Sequence, residues 1–140
     1  MKNVVKKKTK KIKLPKCSEK SRFVLHEHYA THHHFDFRLE KFGTLKSWAL
    51  PRGLPTKPGT KYLAIQTENH PLDYATFQGT IPKGNYGAGK VLIADKGCYE
   101  PKVWNANKIE FILYGRYYKG KYIMIPFAKD GQWLIIKGND

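Results

Sequence analysis

Short runs in which apolar and polar residues alternate are the feature that most constrains the fold of this chain. Across residues 34–40, three apolar side chains occupy the odd positions and polar side chains the even ones. Alternate side chains of an extended strand share a face, so such a run packs one face and exposes the other. Similar runs predict nine strands, at residues 22–28, 34–40, 44–50, 61–68, 91–94, 98–104, 109–113, 117–125 and 132–137.

Breaks rich in Gly, Pro and Asn separate these runs, and no long helical period is present. Close spacing of many short strands predicts a mainly β fold, a small antiparallel barrel of about eight strands with short helical turns. Residues 51–60 predict a loop, and residues 70–77 hold a short helical turn after Pro71. Residues 79–89 form a Gly-rich connection, which suits either a barrel corner or backbone held close to a phosphate. Lys83 and Tyr86 are the side chains there best suited to a nucleic-acid backbone and base.

The charge of the chain favours a polyanionic partner. The 140 residues carry a formal net charge of +15, from 26 basic and 11 acidic residues. Nucleic acid is the first candidate and an anionic membrane surface the second, although no apolar run is long enough to span a bilayer. Residues 1–20 hold nine Lys and one Glu, and predict a disordered basic tail that strengthens nucleic-acid binding or merely solubilises the chain. Residues 21–140 then form one domain.

The two cysteines carry little information about function. Cys17 lies in the predicted tail, far in sequence from Cys98. The sequence therefore predicts no structural disulfide, and a reducing, cytoplasmic location associated with the nucleoid.

A set of potential metal ligands lies on the second predicted strand. His34 and Asp36 share one face of that strand, and His28 precedes them by six residues. Imidazole and carboxylate together suit Mn, Fe or Zn. Arg38 follows on the same face and suits a phosphate beside the metal, or alternatively an ion pair with a neighbouring glutamate. The neighbouring His32 and His33 are expected not to be ligands.

A second polar segment follows the fourth predicted strand. His70 is suited to donate a proton to a leaving oxygen or to bind a phosphate. Glu68 could orient His70 or a metal ligand through a hydrogen bond, without contacting the metal itself. Tyr74 could donate to a phosphate oxygen, or lie in the core.

Two other functions fit the same residues. His34, Asp36 and His70 resemble the two-histidine, one-carboxylate set of non-haem Fe(II) oxygenases. A basic barrel with many aromatic residues could also bind nucleic acid without catalysis.

Three separated segments of the sequence are shared with a known family. They are FVLHEHYATHHHFDFRLEKFGTLKSWALPRG, TENHPLDYATFQGTIPKGNYGAGKV and the ending WLIIK. In this order they strongly resemble the 3'-phosphoesterase domain of bacterial and archaeal DNA ligase D, over residues 22–138. The resemblance implies a stand-alone β-barrel enzyme with a Mn²⁺ site, in which Zn²⁺ or Co²⁺ could replace manganese.

The resemblance also implies a function in DNA repair by end joining. Enzymes of this family remove a 3'-terminal ribonucleoside, then the remaining 3'-phosphate, and leave a 3'-hydroxyl for ligation. Nucleic-acid 3' ends are the implied partners, with a separately encoded ligase or end-binding protein as a possible second partner.

The family pattern assigns expected roles to individual residues. His28, His34 and Asp36 match the metal ligands, and Arg38 and His70 match residues that engage the phosphate. Glu68, Tyr74 and Arg52 fall on further active-site positions, Arg52 where the family commonly has Lys. The sequence departs from the family at Tyr62, where an arginine is usual.

Overall fold

Nine strands and one short helix make up the described part of the chain. The structure is a computed structural model that describes residues 21–139. The strands are β1 (Arg22–Tyr29), β2 (His34–Lys41), β3 (Thr44–Leu50), β4 (Lys61–His70), β5 (Gly79–Ile81), β6 (Gly89–Asn105), β7 (Lys108–Gly115), β8 (Lys119–Pro126) and β9 (Gln132–Lys137). A 3₁₀ helix, Leu72–Thr76, joins β4 to β5.

Eight of the strands close into an antiparallel barrel. The order around the barrel is β1-β2-β3-β4-β9-β8-β7-β6, and pairing of β6 with β1 closes the sheet. The short β5 adds to β6 outside this ring. The predicted barrel of about eight strands with a short helical turn is therefore confirmed. Closure removes exposed strand edges, which a sheet of this size otherwise has to protect.

The barrel interior is filled by large apolar side chains. Phe37 and Leu39 of β2 point inward and are fully buried, as are Trp48, Phe111 and Tyr122 from other strands. A second, smaller apolar cluster lies on the outside of the wall, beneath the 3₁₀ helix, and consists of Val24, Leu45 and Ala75. The helix is thus fixed on the outer face of β1–β3, where the polar residues of these strands also lie.

The sequence prediction was wrong about the middle of β6. It placed a break at residues 95–97 between two strands, whereas β6 runs without interruption for 17 residues. Asp95 does not end the strand because its carboxylate accepts backbone N–H groups of Arg116, Tyr117 and Tyr118 in the β7–β8 turn. The first part of β6 pairs with β1 and the second with β7, so this one strand closes the barrel.

The prediction about cysteines was also wrong. Cys98 is disulfide-bonded, so the argument from reduced cysteines to a reducing compartment falls. The predicted tail and Cys17 lie outside the described residues. None of the helices within residues 21–139 has the length and hydropathy needed to cross a membrane.

Candidate active site

The outer face of β1, β2 and β3 carries a cluster of polar side chains. Antiparallel register places His28 opposite His34, and His26 opposite Asp36. On the other side of β2, Arg38 lies opposite Ser47 of β3. Directly opposed residues share a face, so the pleat brings these side chains together while their neighbours fill the core.

A cavity of about 410 Å³ opens on this cluster. The 3₁₀ helix contributes Tyr74 to its wall, the end of β4 contributes His70, and the Gly-rich loop contributes Tyr86. The volume lies within the range of pockets that hold a small organic ligand. The fold therefore provides a cleft large enough for a small ligand, with ionisable groups on its floor.

Three of the predicted residues converge as possible metal ligands. One ligand atom from each of His28, His34 and Asp36 lies within 4.8 Å of the others. Nδ1 of His28 lies 3.2 Å from one Asp36 carboxylate oxygen, and Nε2 of His34 lies 3.3 Å from the other. This group of three has the residue types and the spacing that a divalent transition metal requires.

The far nitrogen of each imidazole is held by the backbone. Nε2 of His28 lies 3.0 Å from the carbonyl oxygens of Gly87 and Ala88, and Nδ1 of His34 lies 2.8 Å from that of His32. A carbonyl only accepts, so these nitrogens carry the protons and donate. The other nitrogen of each ring faces Asp36 and is the one that a metal ion would use, in place of any proton there. Such outer hydrogen bonds are typical of metal-binding histidines.

Asp36 is kept ionised despite its burial. Burial acts to raise its pKa, but the hydrogen bond with His34 and the charge of Arg38 together lower the pKa of Asp36. The same hydrogen bond raises the pKa of His34. A cation bound beside Asp36 would compensate the carboxylate in the same way as the hydrogen bond from His34.

Arg38 is fixed by a network that the sequence analysis did not find. Its Nε donates to Nδ1 of His26 at 3.1 Å, and its Nη1 donates to the hydroxyl of Ser47 at 3.0 Å. Nη2 lies 3.6 Å from the Asp36 carboxylate, and the guanidinium lies 5.0 Å from the centre of the Tyr74 ring. Only 4% of the Arg38 side chain is exposed, so these contacts hold it in one orientation.

His26 can accept from Arg38 because it is neutral. Burial, reinforced by the charge of Arg38, lowers the pKa of His26 to about 4. Its Nδ1 therefore accepts from Arg38, and its Nε2 donates to the carbonyl of Phe77 at 3.0 Å. The signal in the sequence was the position of His26, two residues before His28 and hence on the same strand face.

His70 lies on the other side of Arg38 from the ligand group. Its Nδ1 is 3.1 Å from Nη1 of Arg38 and 3.2 Å from the carbonyl of Glu68. A guanidinium only donates, and burial together with the charge of Arg38 lowers the pKa of His70. The Glu68 carbonyl only accepts, so Nδ1 cannot bond to both groups; we assign the shorter contact, with Arg38, as the hydrogen bond, which leaves the proton on Nε2. The Tyr74 ring packs against His70, with ring centres 4.6 Å apart.

The remaining predicted residues lie at the edge of this arrangement or outside it. Tyr86 lines the cavity and is 67% exposed. Glu68 is exposed, and its backbone carbonyl is the group near His70. Lys83 is exposed on the Gly-rich loop. Arg52 lies over the Tyr62 ring at 4.9 Å, so two of the positions at which the chain departs from the family pattern contact each other.

Comparison with known proteins gives the family of the chain. Residues 26–126 match the sequence model of the DNA ligase D 3'-phosphoesterase domain. The multifunctional non-homologous end joining protein LigD of Mycobacterium bovis is 44% identical over 124 residues, which is 86% of this chain and 16% of that protein. The LigD proteins of Pseudomonas aeruginosa and Mycolicibacterium smegmatis are 42% and 37% identical over 85% and 91% of the chain.

The chain spans about a sixth of the length of these relatives, 15% to 18%. The matched segment contains every residue of the cavity floor described above. The resemblance seen in the sequence is thus confirmed by a family match over more than half of the chain. The chain belongs to the family of DNA ligase D 3'-phosphoesterase domains.

Proposed function

We propose that this protein is a Mn²⁺-dependent hydrolase that repairs 3' ends of nucleic acid for end joining. The observation that carries the proposal is the convergence of two imidazoles and a carboxylate beside a buried, fixed arginine. A metal site of this composition next to a guanidinium suits a phosphate ester as substrate. Family membership supports the same reaction class.

His28, His34 and Asp36 would hold the metal ion. When bound there, Mn²⁺ would neutralise phosphate charge and polarise a phosphoryl oxygen. The two backbone-bonded imidazoles would keep their lone pairs on the ion without rearrangement. Zn²⁺ or Co²⁺ would suit the same donor set.

Arg38 and His70 would act on the phosphate itself. The guanidinium of Arg38 is a cationic hydrogen-bond donor, and its partners His26 and Ser47 hold it in one orientation. It can therefore stabilise the negative charge that develops on the phosphate in the transition state. His70, with its proton on Nε2, can donate to a phosphate oxygen or to the leaving oxygen. Tyr74 supports both side chains through its ring.

The proposed substrate is a 3' end that carries one ribonucleotide or a phosphate. Release of the terminal ribonucleoside would leave a 3'-phosphate, and hydrolysis of that phosphate would leave a 3'-hydroxyl. The basic charge of the chain favours such a polyanion. We propose that it acts in the cytoplasm together with a ligase or an end-binding protein, since the relatives are named for non-homologous end joining.

The experiment is an end-healing assay with His34→Ala. A primer-template that ends in one ribonucleotide is incubated with and without Mn²⁺, and both the phosphate-ended product and its disappearance are scored. Loss of an outer-shell partner of a metal ligand costs roughly 10- to 100-fold, so loss of a ligand should cost more than about 100-fold. His33→Ala is the matched control, because His33 is adjacent but exposed and bound to Glu27. Equal activity of the two variants would contradict the proposal.

The oxygenase ligand set of His34, Asp36 and His70 is not assembled, because His28 is the third member of the group and His70 contacts Arg38. The group that is assembled also consists of two histidines and a carboxylate. The buried arginine beside it is what favours a phosphate ester over an oxygenase substrate. Non-catalytic binding is tested by the same assay, since it predicts that His34→Ala leaves every measured property unchanged.

A further inference from the structure

One end of the barrel carries exposed aromatic side chains flanked by lysines, away from the cavity described above. We call this surface the aromatic rim, and define it by Phe42, Lys46, Trp104, Phe127 and Trp133. Two adjoining grooves of about 350 and 340 Å³ cross it, and both are bordered by Trp133. Phe42 is 74% exposed and Phe127 is 47% exposed. Isolated exposed apolar residues are common, but a continuous aromatic surface marks a binding site.

Phe42 is held in a conformation that its side chain disfavours. Phe42 and Gly43 form a two-residue turn between β2 and β3, with φ values of 54° and 75°. Such turns favour Asn, Asp or Gly at the first central position, and a bulky residue there costs stability. A strained residue that exposes an apolar ring to solvent points to a function in binding rather than in folding.

Lysines surround this ring and give the rim its charge. Nζ of Lys41 lies 5.2 Å from the centre of the Phe42 ring, and Nζ of Lys46 lies 5.7 Å from it. Lys129 borders the second groove, where Asp130 is the acidic residue. The Trp104 ring meets Phe42 edge to face at 6.3 Å, and Lys41 also lies over Trp104. Aromatic faces beside lysines are the combination that binds unpaired bases and their phosphates.

The floor of the first groove contains an unsatisfied donor. Trp48 lines this groove, is 1% exposed, and its indole N–H has no hydrogen-bond partner among residues 21–139. Buried polar groups are nearly always paired, so an orphaned donor beside a groove indicates a missing acceptor.

The rim and the cavity use opposite faces of one hairpin. Arg38 and Ser47 point outward to the cavity, whereas Lys46 and Trp48 lie on the inward face, at the end of the barrel. Phe42 follows Arg38 by four residues, roughly 13 Å at the rise of a strand. A polynucleotide bound at the cavity could therefore reach the rim within a few nucleotides.

We propose that the aromatic rim binds single-stranded nucleic acid by stacking unpaired bases on Phe42 and its neighbours. The inference rests on the proposed function in one respect, the identification of nucleic acid as the polymer that is bound. Binding at the rim needs neither the metal ligands nor hydrolysis. Stacking requires an accessible base face, so the rim should distinguish single strands from duplex, in which the bases are already stacked.

The test is the affinity of the full-length chain for a fluorescent oligothymidylate of about 12 nucleotides, measured by anisotropy without divalent metal. Phe42→Asn removes the ring and suits the turn, so the variant should melt at the same or a higher temperature and yet bind roughly tenfold more weakly. Phe42→Trp should restore binding. The ratio between variant and parent should stay constant with salt, because stacking does not release counterions.

Tyr117→Ala is the matched control, since Tyr117 is 69% exposed and lies beside Arg116 on another part of the surface. It should leave affinity unchanged. Unchanged affinity of Phe42→Asn for the oligothymidylate would overturn the proposal, and is also the result expected if the rim binds an apolar peptide. The proposal would also be overturned if Tyr117→Ala lost as much affinity as Phe42→Asn. The same holds if Phe42→Asn lost as much affinity for duplex DNA as for the single strand. Because His34→Ala should abolish hydrolysis but not this binding, failure of the proposed function is detected separately.

Discussion

At the scale of single residues, the hydrogen-bond partner of each histidine nitrogen decides what that histidine can do. His28 and His34 donate to backbone carbonyls and so turn their other ring nitrogens towards Asp36, where a metal could bind. His26 lies on the same strand face as His28, yet its lone pair accepts from Arg38 and is not available to a metal. Identical side chains on adjacent outward positions therefore have different functions because their neighbours differ.

The role of His26 as a positioning residue can be tested by two substitutions. His26→Ala removes the acceptor of the Arg38 Nε proton, so we expect end-healing activity to fall about tenfold or more, mainly in kcat. In His26→Gln the amide can accept from Arg38 and donate to the Phe77 carbonyl, and activity should recover. Steady-state kinetics of both variants at saturating Mn²⁺ check this. A loss in His26→Gln as large as in His26→Ala would contradict it.

Tyr99 makes the stability of the barrel depend on pH in the alkaline range. Its buried hydroxyl donates to the Glu40 carbonyl at 2.6 Å, and burial, with the Glu40 charge, raises the pKa of Tyr99 well above its ordinary value. Below about pH 10 both folded and unfolded chains keep this proton, and the contribution to stability is complete. Above pH 10 the unfolded chain loses the proton first, so stability falls as pH rises.

The comparison with Tyr99→Phe isolates this effect. Near neutral pH the variant should be less stable by about 1 kcal/mol, the value of one hydrogen bond. Between about pH 10 and 11 the difference should shrink, because phenylalanine has no proton to lose. Denaturant unfolding near neutral pH and between about pH 10 and 11 measures the difference in unfolding free energy between the two proteins. A difference that stays constant or grows with pH would show that Tyr99 is not responsible.

At the scale of elements, the Gly-rich loop shows how a connection can build a site. Gly87 and Ala88 place their carbonyls on His28 because Gly89 lets the loop pack directly against β1. A Cβ at Gly89 would collide with the backbone carbonyl of Tyr29, and its φ of 119° also disfavours a side chain. The glycines at this end of the loop therefore serve close approach, in addition to the turn itself.

Gly89→Ala should accordingly weaken metal binding without removing any ligand. Displacement of the two carbonyls frees the His28 ring to rotate, and we expect Mn²⁺ affinity to fall about tenfold or more. Gly84→Ala is the control, since Gly84 also has a positive φ, 90°, but open space where the Cβ would lie. Titration of Mn²⁺ by calorimetry compares them; equal affinities would show that the close approach is unimportant.

At the scale of the whole molecule, closure of the barrel positions the cavity, whereas the net positive charge affects binding to polynucleotides. Closure of the barrel fixes the cavity floor through the register of β1, β2 and β3. The charge is concentrated in residues 1–20, which lie outside the described residues and hold nine of the 26 basic side chains. The sequence predicts that these lysines strengthen binding to any polynucleotide by releasing its counterions.

Deletion of residues 1–20 tests that prediction. The truncated chain should bind DNA more weakly at low salt and show a shallower dependence of log affinity on log salt. Turnover at saturating substrate should be retained, because the residues of the cavity floor are present. Anisotropy over a series of salt concentrations checks the slope, and an unchanged slope would exclude the tail from binding.

The sequence by itself determined the β class of the fold, the inward and outward positions of β2, and the group His28, His34 and Asp36. Alternation with a period of two is a local property, and these residues lie on one strand or its neighbour. The sequence did not reveal the uninterrupted β6, because the side chain of Asp95 finds its partners in a turn about 20 residues away. Nor did it identify Ser47 and His26 as partners of Arg38, since only the register between strands sets residues opposite one another. Tertiary structure decided the orientation of the arginine, the tautomers of the histidines and the exposure of Phe42, because each depends on contacts through space between segments distant in the chain.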